Sequence, residues 1–283
     1  MTEVPQPRRI VLCADDYGLS EGVNRGIREL IAAHRLNATS VMVVTPAFTR
    51  EEIVALKAVV AGNGACQIGL HVTLTAPFRP LTLYFRPLDG GSFLTLSSLL
   101  RASLLRRLDP EIVRSEIVAQ IETFTEAFDR APDYLDGHQH VQLFPQIRDA
   151  FLAAAGERAP KAWLRQGGRA VTPLFSLGDA KARFLDMLST RFRQRANAAG
   201  FAFNPAFAGA YDFSKPADYG ALFAGFLDDL PEGGLVMCHP GFVDDTLREL
   251  DPLTAQREVE YDFFRSDSFA RLLADRNVTL GLN

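Results

Sequence analysis

Histidine and cysteine are scarce in this chain of 283 residues, and it contains no long apolar run. There are 5 histidines and 3 cysteines. An odd number of cysteines without metal-type spacing implies no disulfide framework, so we expect a protein of the reducing cytoplasm. No segment reaches the roughly 18 consecutive apolar residues of a membrane span. The polar N-terminus lacks the apolar core of a signal peptide, so we expect neither membrane insertion nor secretion.

An excess of basic charge is missing as well. The 30 lysines and arginines stand against 34 aspartates and glutamates, for a net charge of −4. Nucleic-acid-binding proteins usually show a basic excess, so that class is disfavoured. What the sequence does have is 47% hydrophobic residues, enough for the large buried core of an ordinary globular protein.

Short apolar segments alternate with longer amphipathic segments over the whole chain. The short segments have the composition of buried parallel strands, and the long ones have helical periodicity. The predicted strands are Arg9–Ala14, Thr39–Val44, Gln67–Leu74, Asp133–Asp136, Ala162–Arg165, Gly200–Asn204, Leu235–Cys238 and Val278–Leu280. The predicted helices are Gly22–His34, Glu51–Val60, Pro110–Phe128, Pro145–Ala155, Asp179–Ala199, Asp218–Leu230 and Leu253–Ala274.

About eight strand–helix units predict an α/β fold, in which one domain of residues 1–283 forms a closed or nearly closed parallel barrel. A doubly wound open sheet is the alternative, but no GxGxxG loop follows the first strand. The segment from about residue 76 to residue 107, rich in proline and glycine, fits no such unit. It predicts an insertion over the active-site face, which would act as a lid or substrate loop.

Two adjacent aspartates, Asp15 and Asp16, end the first predicted strand. A buried charge is costly unless it is paired or bound to a metal. Ser20 is the better N-cap for the helix that follows, so capping does not account for the aspartates. Since neighbouring strand residues point to opposite sides, we expect one aspartate to bind a metal and the other to act on a water.

Four of the five histidines lie at or near the ends of predicted strands. They are His71, His138, His140 and His239. Each alone could be a core or turn residue. The carboxyl ends of parallel strands, however, meet at the face where α/β barrels build active sites. One carboxylate with two imidazoles there is a recurrent catalytic metal site with positions open for water and substrate.

Other polar residues lie close to these positions. Asp136 could orient an imidazole through a hydrogen bond. Arg165, at another strand end, could bind substrate or pair with a site carboxylate. No GxSxG nucleophile motif is present, and we interpret Cys238 as a small core residue.

Four motifs together resemble the YdjC/ChbG-type (ChbG/HpnK-type) carbohydrate deacetylases. They are ADDYGLSEGVN, IGLHVTLT, LDGHQHVQLFPQ and MCHPGFVDD, in the family's order and spread over most of the chain. The resemblance implies a distorted TIM-like (β/α) barrel. It also implies hydrolysis of N-acetyl groups on amino sugars with one divalent metal ion, Mg or Zn.

The resemblance assigns roles by position in the motifs. Asp16, His71 and His138 would bind the metal ion. Asp15 would be the general base, and His239 the general acid.

The substrate is left open by the same motifs. Asp136, His140 and Arg165 are expected around the site, where they would tune it or contact the substrate. Gln139 and Gln142 stand where chitooligosaccharide-deacetylating members often carry histidine. The N-acetylated sugar could therefore be free, oligomeric, lipid-linked or nucleotide-linked.

Two other functions stay open. One is a metal-dependent hydrolase of another ester or phosphoester, and the other is a non-catalytic sugar-binding relative. Retention of Asp15 with the whole ligand set argues against the second. The apolar segment Leu94–Leu105 could serve a homodimer interface or a lipid-linked substrate.

Overall fold

Strands and helices alternate along the chain in the computed structural model, which describes residues 6–170, 180–213 and 218–281. The strands are β1 (Arg8–Tyr17), β2 (Ala38–Val41), β3 (Gln67–Val72), β4 (Tyr134–Gly137), β5 (Trp163–Leu164), β6 (Phe207–Ala208), β7 (Leu235–Cys238) and β8 (Val278–Leu280). The helices are α1 (Glu21–Ala32), α2 (Arg50–Asn63), α3 (Leu96–Leu104), α4 (Pro110–Phe128), α5 (Ile147–Arg158), α6 (Ala180–Ala198), α7 (Tyr219–Asp228), α8 (Asp245–Leu250), α9 (Ala255–Arg265) and α10 (Asp267–Asp275).

The strand pairs in the described residues are all parallel, in the order β5-β4-β3-β2-β1-β7-β6, with β8 beside the start of β1. The two ends of this sheet approach each other. The amide of Leu164 donates to the carbonyl of Ala202 at 2.9 Å, and the amide of Phe207 donates to the carbonyl of Gly168 at 3.0 Å. The sheet therefore curves into a nearly closed, distorted barrel, which confirms the predicted α/β barrel. That residues 1–283 form one domain stays a prediction.

The distortion lies where β5 and β6 meet, and there one prediction was wrong. Gly200–Asn204 is not a strand, and only Phe203 forms an isolated bridge with Leu164. The side chain of Asn204 replaces the missing ladder. Its Oδ1 accepts from the amide of Gln166 at 2.9 Å, and its Nδ2 donates to the carbonyl of Gln166 at 3.2 Å. A side-chain amide that bonds to the backbone in this way competes with regular pairing.

The predicted helix Leu253–Ala274 is in fact two helices, α9 and α10, separated at Ser266. Ser266 is extended, with φ −72° and ψ 159°, and its Oγ accepts from the amide of Phe269 at 3.3 Å. A serine that caps a helix in this way starts a new axis. The predicted helix Asp179–Ala199 corresponds to α6, although Asp179 itself lies outside the described residues. In the described parts of the chain, no helix is both long and apolar enough to span a bilayer.

Alternate residues of β1 face two different apolar clusters. Ile10, Leu12 and Ala14 pack in a cluster that also contains helical residues. Val11 and Cys13 belong to a smaller cluster built from strand residues alone, which therefore lies inside the barrel. The period of two along a strand puts the next side chains after this inner cluster on the same inward face, at the carboxyl ends of the strands.

Residues 76–107 contain α3 and no strand of the parallel sheet. Buried Glu116 of α4 holds the segment, since its carboxylate accepts from the amides of Leu81 at 3.1 Å and Thr82 at 2.9 Å. The ring of Phe78 lies 6.1 Å from the ring of His138. The segment thus touches one of the predicted site residues, and its role as a lid stays a prediction.

Gly69 of β3 gives a test of the barrel interior. A Cβ added there would lie 2.3 Å from the ring of Tyr134. We expect Gly69→Ala to lower the free energy of unfolding by about 1–3 kcal/mol, because the interior would be overpacked. Urea denaturation measures this change.

Gly62→Ala in α2 is the matched control, since a Cβ there meets nothing within 4 Å. Alanine in a helix should raise the free energy of unfolding by about 0.5–1 kcal/mol. A Gly69→Ala variant as stable as the unsubstituted protein would contradict the packing described above.

Candidate active site

A bulge at the end of β1 sets the directions of the two adjacent aspartates. The register with β2 shifts between Ala14 and Tyr17, and Asp16 has a left-handed φ of 70°. As a result both carboxylates approach Nε2 of His71, at 4.0 Å for Asp15 Oδ2 and 3.5 Å for Asp16 Oδ1. The expectation that they point to opposite sides was wrong, because the bulge breaks the alternation of a regular strand.

Asp16 and two histidines form a compact set of donor atoms. His71 comes from β3, and His138 begins the 3₁₀ turn that follows β4. Oδ1 of Asp16 lies 3.1 Å from Nδ1 of His138. One donor atom from each of the three side chains lies within 4.8 Å of the others, and all three residues are buried. One carboxylate and two imidazoles in this arrangement could hold a divalent metal ion.

Asp136 orients His71. Its Oδ1 lies 2.6 Å from Nδ1 of His71, and its Oδ2 accepts from the hydroxyl of Ser40 at 2.5 Å. This contact leaves Nε2 of His71 facing Asp16, as carboxylate–histidine pairs do at metal sites. Burial lowers the pKa of His71, but the carboxylates of Asp136, Asp15 and Asp16 outweigh it and raise that pKa above its ordinary value.

Arg165 grips Asp15 with two parallel hydrogen bonds, Nη1 to Oδ1 at 2.6 Å and Nη2 to Oδ2 at 2.8 Å. Its Nη1 also lies 3.0 Å from Oδ2 of Asp136. Burial would raise the pKa of Asp15, but Arg165 and His71 together hold it well below its ordinary value. Asp15 is therefore a carboxylate at neutral pH. Of the two roles expected for Arg165, substrate binding and pairing with a site carboxylate, the structure shows the pairing.

Arg257 of α9, which sequence reasoning missed, compensates the charge of Asp16. It is fully buried, and its Nη2 donates to Asp16 Oδ2 at 2.7 Å and to Asp251 Oδ2 at 2.9 Å. Burial would raise the pKa of Asp16, but Arg257 and His138 lower it well below its ordinary value. No local signal marks Arg257, because an arginine on an amphipathic helix normally faces solvent.

The net charge of these buried side chains is suited to a bound cation. Three buried aspartates, Asp15, Asp16 and Asp136, face two buried arginines, Arg165 and Arg257. Arg257 also pairs with Asp251, so the carboxylates outnumber the two guanidinium groups, and apart from the imidazoles the group has an excess of negative charge. A metal ion held by Asp16 and the two histidines would offset that excess, so the donor set and its charge both fit a cation.

His239 reaches the same site from the end of β7. The residue as a whole is half-buried, but Nδ1 of its ring is buried, and the ring meets the ring of Phe213 edge to face at 5.4 Å. Its Nδ1 has no hydrogen-bond partner among the described residues. Burial lowers the pKa of His239 to about 4, although Asp16 and Asp15 act to raise it. Both carboxylates therefore act on the charge of His239, although no hydrogen bond or ion pair joins it to Asp15 or Asp16 among the described residues.

His140 lies apart from the donor set. Its backbone is left-handed, with φ 60°, and its ring packs edge to face on Phe207 at 5.3 Å. Burial and the nearby Arg165 lower the pKa of His140 to about 3, so the ring is neutral at pH 7. The described contacts include no hydrogen bond from His140 to Asp16, His71 or His138, and its expected tuning role stays a prediction.

The fold agrees with comparisons to known proteins. The model of the YdjC-like protein family matches residues 9–275, so the chain belongs to that family. It is 29% identical to a chitooligosaccharide deacetylase of Escherichia fergusonii over 97% of each chain.

Solved structures share the fold. A candidate cellobiose-phosphate cleavage protein of Enterococcus faecalis is 20% identical, with a TM-score of 0.75 over 98% of each chain. A Streptococcus mutans CE4 esterase is 12% identical, with a TM-score of 0.51 over 98% of this chain and 86% of the other.

Metal titration tests the donor set. We expect the chelator-treated protein to bind about one equivalent of Zn²⁺ by calorimetry, and His71→Ala and His138→Ala to weaken binding at least 10- to 100-fold. Binding should weaken as the pH falls through the raised pKa of His71, because the ion competes with a proton there. His34→Ala, on an exposed histidine next to α1, is the matched control. Equal Zn²⁺ affinity in all three variants would rule out this donor set.

Proposed function

We propose that this chain is a metal-dependent hydrolase that removes N-acetyl groups from an amino-sugar substrate. The observation that carries the proposal is the position of Asp15. Its carboxylate, ionised and gripped by Arg165, lies next to the donor set of Asp16, His71 and His138. Membership of the YdjC-like family and likeness to a chitooligosaccharide deacetylase support the carbohydrate substrate.

Asp16, His71 and His138 would hold one divalent ion. Two imidazoles and one carboxylate favour zinc, since magnesium prefers oxygen ligands. Bound there, such an ion would lower the pKa of a coordinated water and polarise the acetyl carbonyl. Arg257 and Asp136 hold Asp16 and His71 in the orientations that this requires.

Asp15 acts as the general base. Arg165 fixes both of its oxygens, which sets the direction of the remaining lone pairs. The same ion pair makes Asp15 a weak base, as its lowered pKa indicates. It can therefore take a proton only from a water that has itself become acidic.

His239 acts as the general acid that protonates the leaving amine. Its pKa of about 4 keeps the ring neutral at pH 7. A neutral imidazole is a poor acid, so His239 must first receive a proton. The proton that Asp15 takes from the water is the one available, and once it has passed to His239, the carboxylates of Asp15 and Asp16 stabilise the imidazolium. The products are acetate and a free amino sugar.

Aromatic rings border the proposed site. Phe78 lies beside His138, and Phe213 lies beside His239. Phe78 is buried, whereas Phe213 is half-buried and keeps surface that an apolar face of a sugar could contact, which supports a carbohydrate substrate.

Acetate release tests the reaction class. We expect the zinc-loaded protein to release acetate from at least one of chitobiose, N-acetylglucosamine, and lipid- or nucleotide-linked N-acetyl sugars. Treatment with a chelator should stop this release of acetate. Aryl phosphates serve as the comparison. Phosphate release without acetate would replace the proposal with a phosphoesterase, and sugar binding without turnover would indicate a non-catalytic relative.

Asp15→Asn tests the general base. We expect kcat to fall about 10²- to 10⁴-fold, the contribution of a positioned base, while zinc content by elemental analysis stays near that of the unsubstituted protein. Asp129→Asn is a control, because that side chain is 82% exposed and its ion pair among the described residues is with Lys57 at the surface. Full activity in Asp15→Asn would defeat the assignment of Asp15.

A further inference from the structure

The segment that carries His239 is fastened to α9. Alternate backbone amides of this segment donate to that helix. The bonds run from His239 to Glu260 Oε2 at 2.5 Å, from Gly241 to the carbonyl of Arg257 at 3.2 Å, and from Val243 to Glu258 Oε1 at 3.1 Å. The position of His239 therefore depends on a helix that contains none of the four motifs.

Glu260 is the unusual member of this group. It is 1% exposed, and besides the His239 amide it accepts from the hydroxyl of Tyr211 at 2.7 Å. Burial raises the pKa of Glu260 to about 7, against the lowering effect of these two donors and of Arg257. A carboxyl group buried in this way is costly, and it is neither in the metal donor set nor in a described salt bridge.

The imidazole of His239 makes few polar or aromatic contacts with the described residues. Its Nδ1 has no hydrogen-bond partner in the part of the chain that the structure describes. The contacts recorded for this residue are the hydrogen bond of its backbone amide and the edge-to-face contact of its ring with Phe213 at 5.4 Å. Phe213 in turn packs on Tyr211, with ring centroids 4.3 Å apart. Glu260 therefore supports both contacts of His239. It binds the His239 amide directly, and it supports Phe213 through the hydroxyl of Tyr211.

We propose that Glu260 is a positioning residue for His239, which it orients by holding the His239 amide and the hydroxyl of Tyr211. This inference rests on the proposed function, in which His239 is the general acid. Arg257 lies one helical turn before Glu260 and holds Asp16. Helix α9 thus places two buried charged side chains on two parts of the site.

Glu260→Ala, which removes both acceptors, tests the proposal. We expect kcat for acetate release to fall about 10- to 100-fold, as misplacement of a catalytic group does, with KM and zinc content little changed. Glu260→Gln keeps an oxygen for the His239 amide, so its kcat should lie within a few-fold of the unsubstituted protein. Asp262→Ala, an exposed position on the same helix, is the matched control. A Glu260→Ala variant with unaltered kcat would overturn the proposal.

A double-mutant cycle separates positioning from general destabilisation. If Glu260 acts through His239, then adding Glu260→Ala to His239→Ala should cause no further loss of kcat. A further 10- to 100-fold loss in the double variant would overturn the proposal, because Glu260 would then act independently of His239.

Hydrogen exchange at the His239 amide tests the anchor without any enzyme assay. Exchange in native buffer should be faster in Glu260→Ala than in the unsubstituted protein, and unchanged in Asp262→Ala. That result supports the anchor even if no acetate is ever released, in which case only the proposed function fails. Unchanged exchange in Glu260→Ala would overturn the anchor itself.

Discussion

The rest of this site depends on the burial of two adjacent carboxylates at the end of β1. Asp15 and Asp16 are 1% and 2% exposed, and an uncompensated charge there would be prohibitively costly. Each is matched by its own buried guanidinium, Arg165 for Asp15 and Arg257 for Asp16. In the proposed function the two paired carboxylates have different roles. Asp15 is the base, and Asp16 binds the metal ion together with two imidazoles.

The period of two along parallel strands assembles most of the other polar groups. Cys13 and Tyr134 lie inside the barrel, and the residues two positions later, Asp15 and Asp136, reach the site. The interior thus changes from apolar to polar within one layer of side chains. The absence of a side chain at Gly69 allows Tyr134 to pack inside the barrel, because the ring of Tyr134 occupies the space where a Cβ of residue 69 would lie.

Much of the fold and part of the site could be predicted from local patterns. Strands β7 and β8 and helix α4 were predicted with their observed bounds, because each is a continuous apolar or amphipathic run with clear ends. Gly200–Asn204 failed because a side-chain amide replaced the backbone ladder. Arg257 and Glu260 could not be found, since on an amphipathic helix nothing distinguishes a buried charged residue from a solvated one.

The sequence by itself determined which residues have the chemistry for this site. Carboxylates and the few imidazoles lie at the ends of apolar strands, and the carboxyl ends of parallel strands share one face of the barrel. Only the tertiary structure decided how they are oriented. The bulge at Asp16 turned two neighbouring carboxylates toward one imidazole, and α9 supplied Arg257 and Glu260 from the far end of the chain. Both depend on contacts between residues distant in sequence, since a buried charge is tolerated only where the fold brings its partner.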